Sequence, residues 1–155
     1  MEPPYYSLRI LHEIFVNPLS NNGNKNYSDS DSDCGGSQVL NLTRIYITKH
    51  QRDVVPLIEK YAEEWQETGS PIYRPMWWLS PEDPLTFAID DQFIIGDEVL
   101  VAPVVEKGAV RRDIYLPDGG FQWQDSQNAQ VFDGGTFLQD YPVPLEAVGL
   151  FFRRR

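Results

Sequence analysis

The hydrophobic pattern of this chain changes period once, at Gly69, and that change limits the folds open to it. Before the glycine, Leu42, Ile45, Tyr46, Val54, Leu57, Ile58, Tyr61 and Trp65 recur at three- and four-residue spacing, which lines one face of a helix. After it, the apolar residues come in short runs cut by turn signals. Ile72–Leu79, with aromatic and β-branched members, reads as one buried strand. Further strand candidates follow at Gln92–Ile95, Val99–Val105, Val110–Leu116, Phe121–Gln124, Val131–Phe132, Phe137–Leu138 and Leu150–Phe152. Gly96, Gly108, Asp118-Gly119-Gly120, Asp133-Gly134-Gly135, Pro142 and Pro144 punctuate them. Short strands at this cadence favour an antiparallel β-sandwich over βαβ units.

The helical stretch carries its own punctuation. Ser37 reads as an N-cap, and Gly69 after Thr68 as a stop. Pro56 lacks a backbone donor, so the helix is expected to kink or split near Asp53. One long helix and one buried strand make half of an α/β unit, which cannot close a sheet or barrel alone. The chain therefore reads as part of something larger.

Residues 1–20 include Leu8, Ile10, Leu11, Ile14, Phe15 and Val16, a pattern compatible with two helical turns or a strand. Residues 20–37 are rich in Asn, Ser, Asp and Gly, and Asp29-Ser30-Asp31-Ser32-Asp33 has nothing apolar to bury. That composition predicts a mobile loop, because burial cannot offset its ordering entropy. Its alternating aspartates lack the sixth-position glycine and twelfth-position glutamate of a calcium loop.

A net charge of −10 repels nucleic acid and anionic lipid, and Arg153-Arg154-Arg155 is too short a run to reverse that. Cys34 is the only cysteine and His12 and His50 the only histidines, so neither a disulfide nor a metal cluster is expected. No apolar run approaches the ~20 residues that span a bilayer. Met1-Glu2-Pro3-Pro4 lacks the basic start and apolar core of a signal peptide, so no compartment address is expected in the chain. There is no glycine-rich phosphate loop and no Ser/His/Asp set, and no cofactor is expected. Asn26-Tyr27-Ser28 and Asn41-Leu42-Thr43 are sequons, candidate N-glycosylation sites in a luminal protein.

Five ordered strings carry a family resemblance. Gly69-Ser70-Pro71-Ile72-Tyr73-Arg74-Pro75-Met76-Trp77-Trp78 resembles the G-x-P-(apolar)-x-R-P-(apolar)-aromatic segment of glycoside hydrolase family 31. Asp83-Pro84, then Asp91-Gln92-Phe93 through Gly96-Asp97, Ala102 and Pro103, is similar to that family's D-Q-F-x-x-G-D-x-x-L-V-A-P-V signature. Tyr115-Leu116-Pro117-Asp118-Gly119, Asp133-Gly134-Gly135 and Asp140 to Leu145 continue the match. The form R-P-x-W-W resembles the myogenesis-regulating glycosidase subgroup most. The resemblance covers roughly residues 38–152.

It implies the last helix and strand of a (β/α)8 barrel followed by an antiparallel β-sandwich. Val39–Trp65 would be the seventh barrel helix and Ile72–Leu79 the eighth strand. The expected domains are an unmatched flexible segment over 1–37, the end of the catalytic barrel over 38–90, and the proximal sandwich over 91–155. The implied activity is retaining hydrolysis of α-linked O-glycosyl bonds, with a carbohydrate substrate in the full-length parent and the rest of the barrel required.

Retaining hydrolysis needs two carboxylates ~5–5.5 Å apart. In the family both are aspartates on middle barrel strands, the nucleophile in an Asp-Met motif, and this sequence has no Asp-Met pair. No catalytic residue is therefore assigned, and the isolated chain is expected to be inactive. Gly96-Asp97-Glu98 sits where the family has a structural turn, and Asp83 and Asp90 read as caps of turns and of the short helix between them. Arg74 reads as a buried ion pair, with support of a sugar pocket as its sharper alternative. Trp77 and Trp78 are candidate sugar-stacking residues, although core packing on alternate faces of a strand explains them as well. His50 reads as exposed on a helix face. Arg74, Pro75, Asp83, Gln92, Phe93, Gly96, Ala102 and Pro103 are the motif residues to which the resemblance gives a structural role.

Overall fold

The computed structural model describes residues 35–144 and 147–154. Two helices come first: α1 (Gly35–Asp53) and α2 (Val55–Thr68). They break at Val54, one residue from the expected position. Pro56 opens α2, where a missing N–H costs nothing. Gly69 ends α2 with φ 77°, its N–H donating to the Trp65 carbonyl at 2.9 Å. Only a residue without a Cβ takes that conformation freely. Ser37 lies inside α1 and does not cap it, because the helix already runs from Gly35.

The run Ile72–Leu79 is not one strand. Only Tyr73–Arg74 (β1) is extended, pairing antiparallel with Ile94 and Ile95. Pro75 then stops the ladder, having no N–H to donate. Its carbonyl accepts from Trp78 N at 3.0 Å and starts a helical turn, α3 (Met76–Leu79). The turn, with its steeper pitch, replaces strand alternation: Met76 is fully buried, while Trp77 and Trp78 are 40% and 41% exposed. A 3-10 turn follows at Pro84–Phe87, capped by Asp83, whose Oδ1 accepts from Leu85 N at 3.1 Å.

Seven strands follow: β2 (Phe93–Ile95), β3 (Val99–Ala102), β4 (Arg111–Leu116), β5 (Gln122–Asp125), β6 (Val131–Asp133), β7 (Thr136–Pro142) and β8 (Gly149–Arg154). Each overlaps a strand candidate of the sequence, because each candidate was bounded by a turn. One sheet runs β1-β2-β3-β8-β5-β6 and a second pairs β4 with β7. All pairings are antiparallel.

Both sheets contribute to one core. Ile94, Leu100, Ala102, Trp123 and Phe151 from the larger sheet meet Ile114 and Leu116 from the smaller one, with Met76 and Val143. Trp123, fully buried, satisfies its indole N–H on the Pro117 carbonyl at 3.0 Å. Ala102 faces Gly149 across β3 and β8, and a Cβ on Gly149 would lie 2.9 Å from the Ala102 oxygen. Small residues are thus required at this crossing.

Candidate functional site

Most motif residues converge on two places, and the first is a clamp around Arg74. This side chain is 3% exposed. Its guanidinium pairs with Glu64 of α2 at 2.8 Å and with Asp97 in the β2–β3 turn, and its Nε donates to the Pro71 carbonyl at 2.9 Å. The Tyr61 and Trp78 rings lie 5.2 and 5.7 Å away, within cation–π range. Burial opposes the charge, but hydrogen bonds and charge from Asp97 and Glu64 outweigh it and raise the Arg74 pKa above its ordinary value.

The clamp continues through Gly96-Asp97-Glu98, a turn in which Glu98 N donates to Ile95 O at 3.3 Å. Gly96 has φ 54°, and a Cβ there would fall 1.9 Å from the Tyr61 ring, so α2 rests directly on this backbone. The Tyr61 hydroxyl accepts from Asp97 N at 3.1 Å and donates to Glu98 Oε1 at 3.2 Å. Lys60 also pairs with Glu98. Desolvation is the main reason the Tyr61 pKa is raised.

The second place is the seam between the sheets. Gln92, 6% exposed, donates from Nε2 to Tyr115 O at 2.8 Å and accepts Tyr115 N at 2.9 Å. One side-chain amide thus fills both backbone positions of a β4 residue. Phe93 packs edge-on against Tyr73, with ring centroids 5.8 Å apart. The Pro103 carbonyl accepts from Arg112, which also pairs with Asp91 at 2.6 Å. Asp83 Oδ2 accepts from the Tyr115 hydroxyl at 2.5 Å. Burial first, and the Asp83 hydrogen bond second, push the Tyr115 pKa up to about 12.

Beside this seam lies an open cleft of about 520 Å³. Leu79, Pro81 and Pro84 form its apolar side, and Glu82, Asp83 and Asp118 bring carboxylates to it. Across α3, Trp77 and Phe87 are stacked at 6.2 Å with rings 2° from parallel, Phe87 being 61% exposed.

Of the residues named from sequence, the structure gathers Arg74, Trp78 and Gly96 at the clamp and Asp83 and Gln92 at the seam. Trp77 reaches the clamp only through Trp78, with ring centroids 6.0 Å apart. His50 is half-buried, not exposed, and desolvation lowers its pKa. Asn41 is exposed on α1. Asn26, Cys34, His12 and the Asp29–Asp33 run lie outside the described residues. Among the described residues no group of three His, Cys, Asp or Glu side chains could hold a metal, and no helix is long and apolar enough to cross a membrane. Sequence reasoning missed Tyr61, Glu64 and Tyr115 as partners. Tyr61 and Glu64 share a helix face at i, i+3, but nothing local marks what they meet.

These observations define a class: a mixed helix and antiparallel-sheet unit whose motif residues brace one element against another. Residues 69–154 match the glycosyl hydrolase family 31 C-terminal domain, and the chain belongs to that family. It is 57% identical over 121 residues to the SITS-binding protein of Tetronarce californica, covering 78% of this chain and 17% of that one. Against the myogenesis-regulating glycosidase of Mus musculus the identity is 48%, over 63% of this chain and 13% of the relative. A Flavobacterium johnsoniae GH31 dextranase complexed with glucose superposes with TM-score 0.68 at 36% identity, over 76% of this chain and 14% of that chain. The chain thus spans less than a fifth of the length of these relatives.

Proposed function

We propose that this chain is the C-terminal portion of a retaining glycosidase acting on α-linked O-glycosyl bonds, with the catalytic carboxylates supplied by polypeptide outside these 155 residues. On this reading residues 38–90 bring the last helix of a (β/α)8 barrel and the segment of its last strand, of which only Tyr73–Arg74 is extended and joins the sheet of the proximal β-sandwich over residues 91–155. The observation that carries it is the family match over residues 69–154. Four carboxylates of the motif segments are occupied in bracing. Asp83, Asp91, Asp97 and Glu98 each hold a hydrogen bond or ion pair to another element.

The test compares the isolated chain with a longer polypeptide that carries it behind an Asp-Met nucleophile motif. Aryl α-glucosides, α-galactosides and α-xylosides should be hydrolysed only by the longer form. Turnover by the isolated chain above a boiled control would sink the proposal.

A second reading, a non-catalytic carbohydrate-binding or interaction module, draws on the exposed parallel Trp77–Phe87 pair. A flat calorimetric titration with α-linked oligosaccharides dismisses it.

A further inference from the structure

We infer that Asn41, on the outer face of α1, is a modification site that takes one N-linked oligosaccharide whenever the chain is synthesised into a secretory compartment. This stands apart from the hydrolase reading, since it concerns a helix surface and no substrate. The sequence supplies the acceptor, Asn41-Leu42-Thr43, with no proline at its centre. The transfer joins Asn41 Nδ2 to C1 of an oligosaccharide carried on a polyprenyl pyrophosphate. The C1–O bond breaks, the pyrophosphate leaves with its electron pair, and the amide gives up one proton to the transferase.

Geometry fixes when this happens. In an extended chain residues i and i+2 share a side, so the Thr43 hydroxyl can lie beside the Asn41 amide. In a helix the same two residues do not face each other, and within α1 Asn41 is exposed while Thr43 is half-buried. The acceptor is therefore competent before α1 forms. The helix gives it time, because Thr43, Ile45, Tyr46, Ile47 and Thr48 lose rotamer freedom in a helix and α1 depends on tertiary packing. Once formed, α1 leaves the modified residue in water. Leu42, Tyr46 and His50 make its packed row, each half-buried, and desolvation pushes the Tyr46 hydroxyl up to about 12. Asn41 belongs to another row, with Arg44, Thr48 and Arg52, all exposed. Thr48 there donates its hydroxyl to the Arg44 carbonyl at 2.8 Å. A row with two cations, an amide and a hydroxyl gives further polypeptide nothing apolar to bury, so a glycan is tolerated there. Ile45, one turn on from Asn41 and 44% exposed, is the apolar surface that the first sugar would shield.

The experiment expresses the full chain in eukaryotic cells behind a cleavable signal peptide, with a reporter sequon fused after its last residue. Only molecules that carry the reporter glycan are scored, so every scored chain has entered the lumen. Asn26→Gln removes the other acceptor. In that variant, enzymatic removal of N-glycans should give two mobility steps, one for the reporter and one for Asn41. Release in heavy-oxygen water should leave the isotope label at position 41 by mass spectrometry. Adding Thr43→Ala should abolish the Asn41 step and keep the reporter's. None of these readouts requires the variants to fold. A reporter-only pattern in Asn26→Gln, a second step that survives Thr43→Ala, or a label at any position other than 41 and the reporter would each overturn the assignment.

Discussion

The helices and the sheets of this chain bury their apolar residues to very different degrees. In the sheets, Ile94, Val99, Leu100, Ile114, Leu116, Trp123 and Phe151 are at most barely exposed. Along α1 and α2, among the described residues, only Tyr61 reaches that state, with Val54 at the break between them, while Leu40 is 71% exposed, Trp65 55% and Ile45 44%. The difference teaches that two sheets facing each other supply their own apolar partner, whereas a helix stripe needs a surface it does not carry. What holds α2 to the sheets is mostly polar: Arg74 with Glu64 and Asp97, Lys60 and the Tyr61 hydroxyl with the Asp97-Glu98 turn, and the Tyr61 ring on Gly96.

The comparison can be broken first from the sheet side. Trp123→Ala removes the largest fully buried side chain and should cost about 4 kcal/mol, read as a fall in the urea midpoint at unchanged slope. Both sheets should unfold together, since both contribute to the core around it.

On the helix side, the double variant Glu64→Gln/Asp97→Asn leaves the Arg74 charge buried without its counter-ions. It should cost roughly 3 kcal/mol, and hydrogen exchange should show α2 opening before the strands. Arg74→Met removes the charge too and should cost clearly less, because an apolar side chain of similar volume fills the site. Equal losses in the two variants would show that the pairing itself matters more than the buried charge.

Gly96→Ala combines a left-handed backbone with a clash against the Tyr61 ring, and about 2 kcal/mol of destabilisation is expected. The loss should fall on α2 protection more than on the strands. Tyr115→Phe, which removes the hydrogen bond to Asp83, should cost about 1 kcal/mol. It also changes the alkaline limb of stability. The Tyr115 and Tyr141 hydroxyls are held at about 12 against an ordinary 10.0, so folding favours their protonated forms. Their contribution is complete below pH 10 and is lost as pH climbs from 10 towards 12. Denaturant midpoints across that window should fall less steeply in Tyr115→Phe than in the unaltered chain.

Much of the fold was legible because its signals are local. Pro56 and Gly69 marked the helix break and the helix stop through their own backbone chemistry, and each strand announced itself between turns. The misreading at Ile72–Leu79 has a local cause too. An unbroken apolar run has no period to read, and the proline inside it was given less weight than its missing donor warranted. The candidate site was less legible. Arg74 stood out as a charge in an apolar run, but its partners lie 10 and 23 residues away. Gln92 showed only as one letter of a motif, with nothing to say that its amide would replace a strand partner for Tyr115. Asp118 read as part of a turn, and only the fold brings it beside the Leu79–Pro84 segment in one cleft.

The sequence by itself determined the family, the order of elements, the turn positions and the absence of an Asp-Met motif, because each depends on residues adjacent in the chain. The tertiary structure alone decided that β8 sits between β3 and β5, that Arg74 bridges a helix to a turn, and that the Leu79–Pro84 segment and the Asp118–Gly120 turn line one cleft. Those facts depend on which distant groups meet once apolar surface is buried, and hydrophobic burial has no direction that a linear pattern can record.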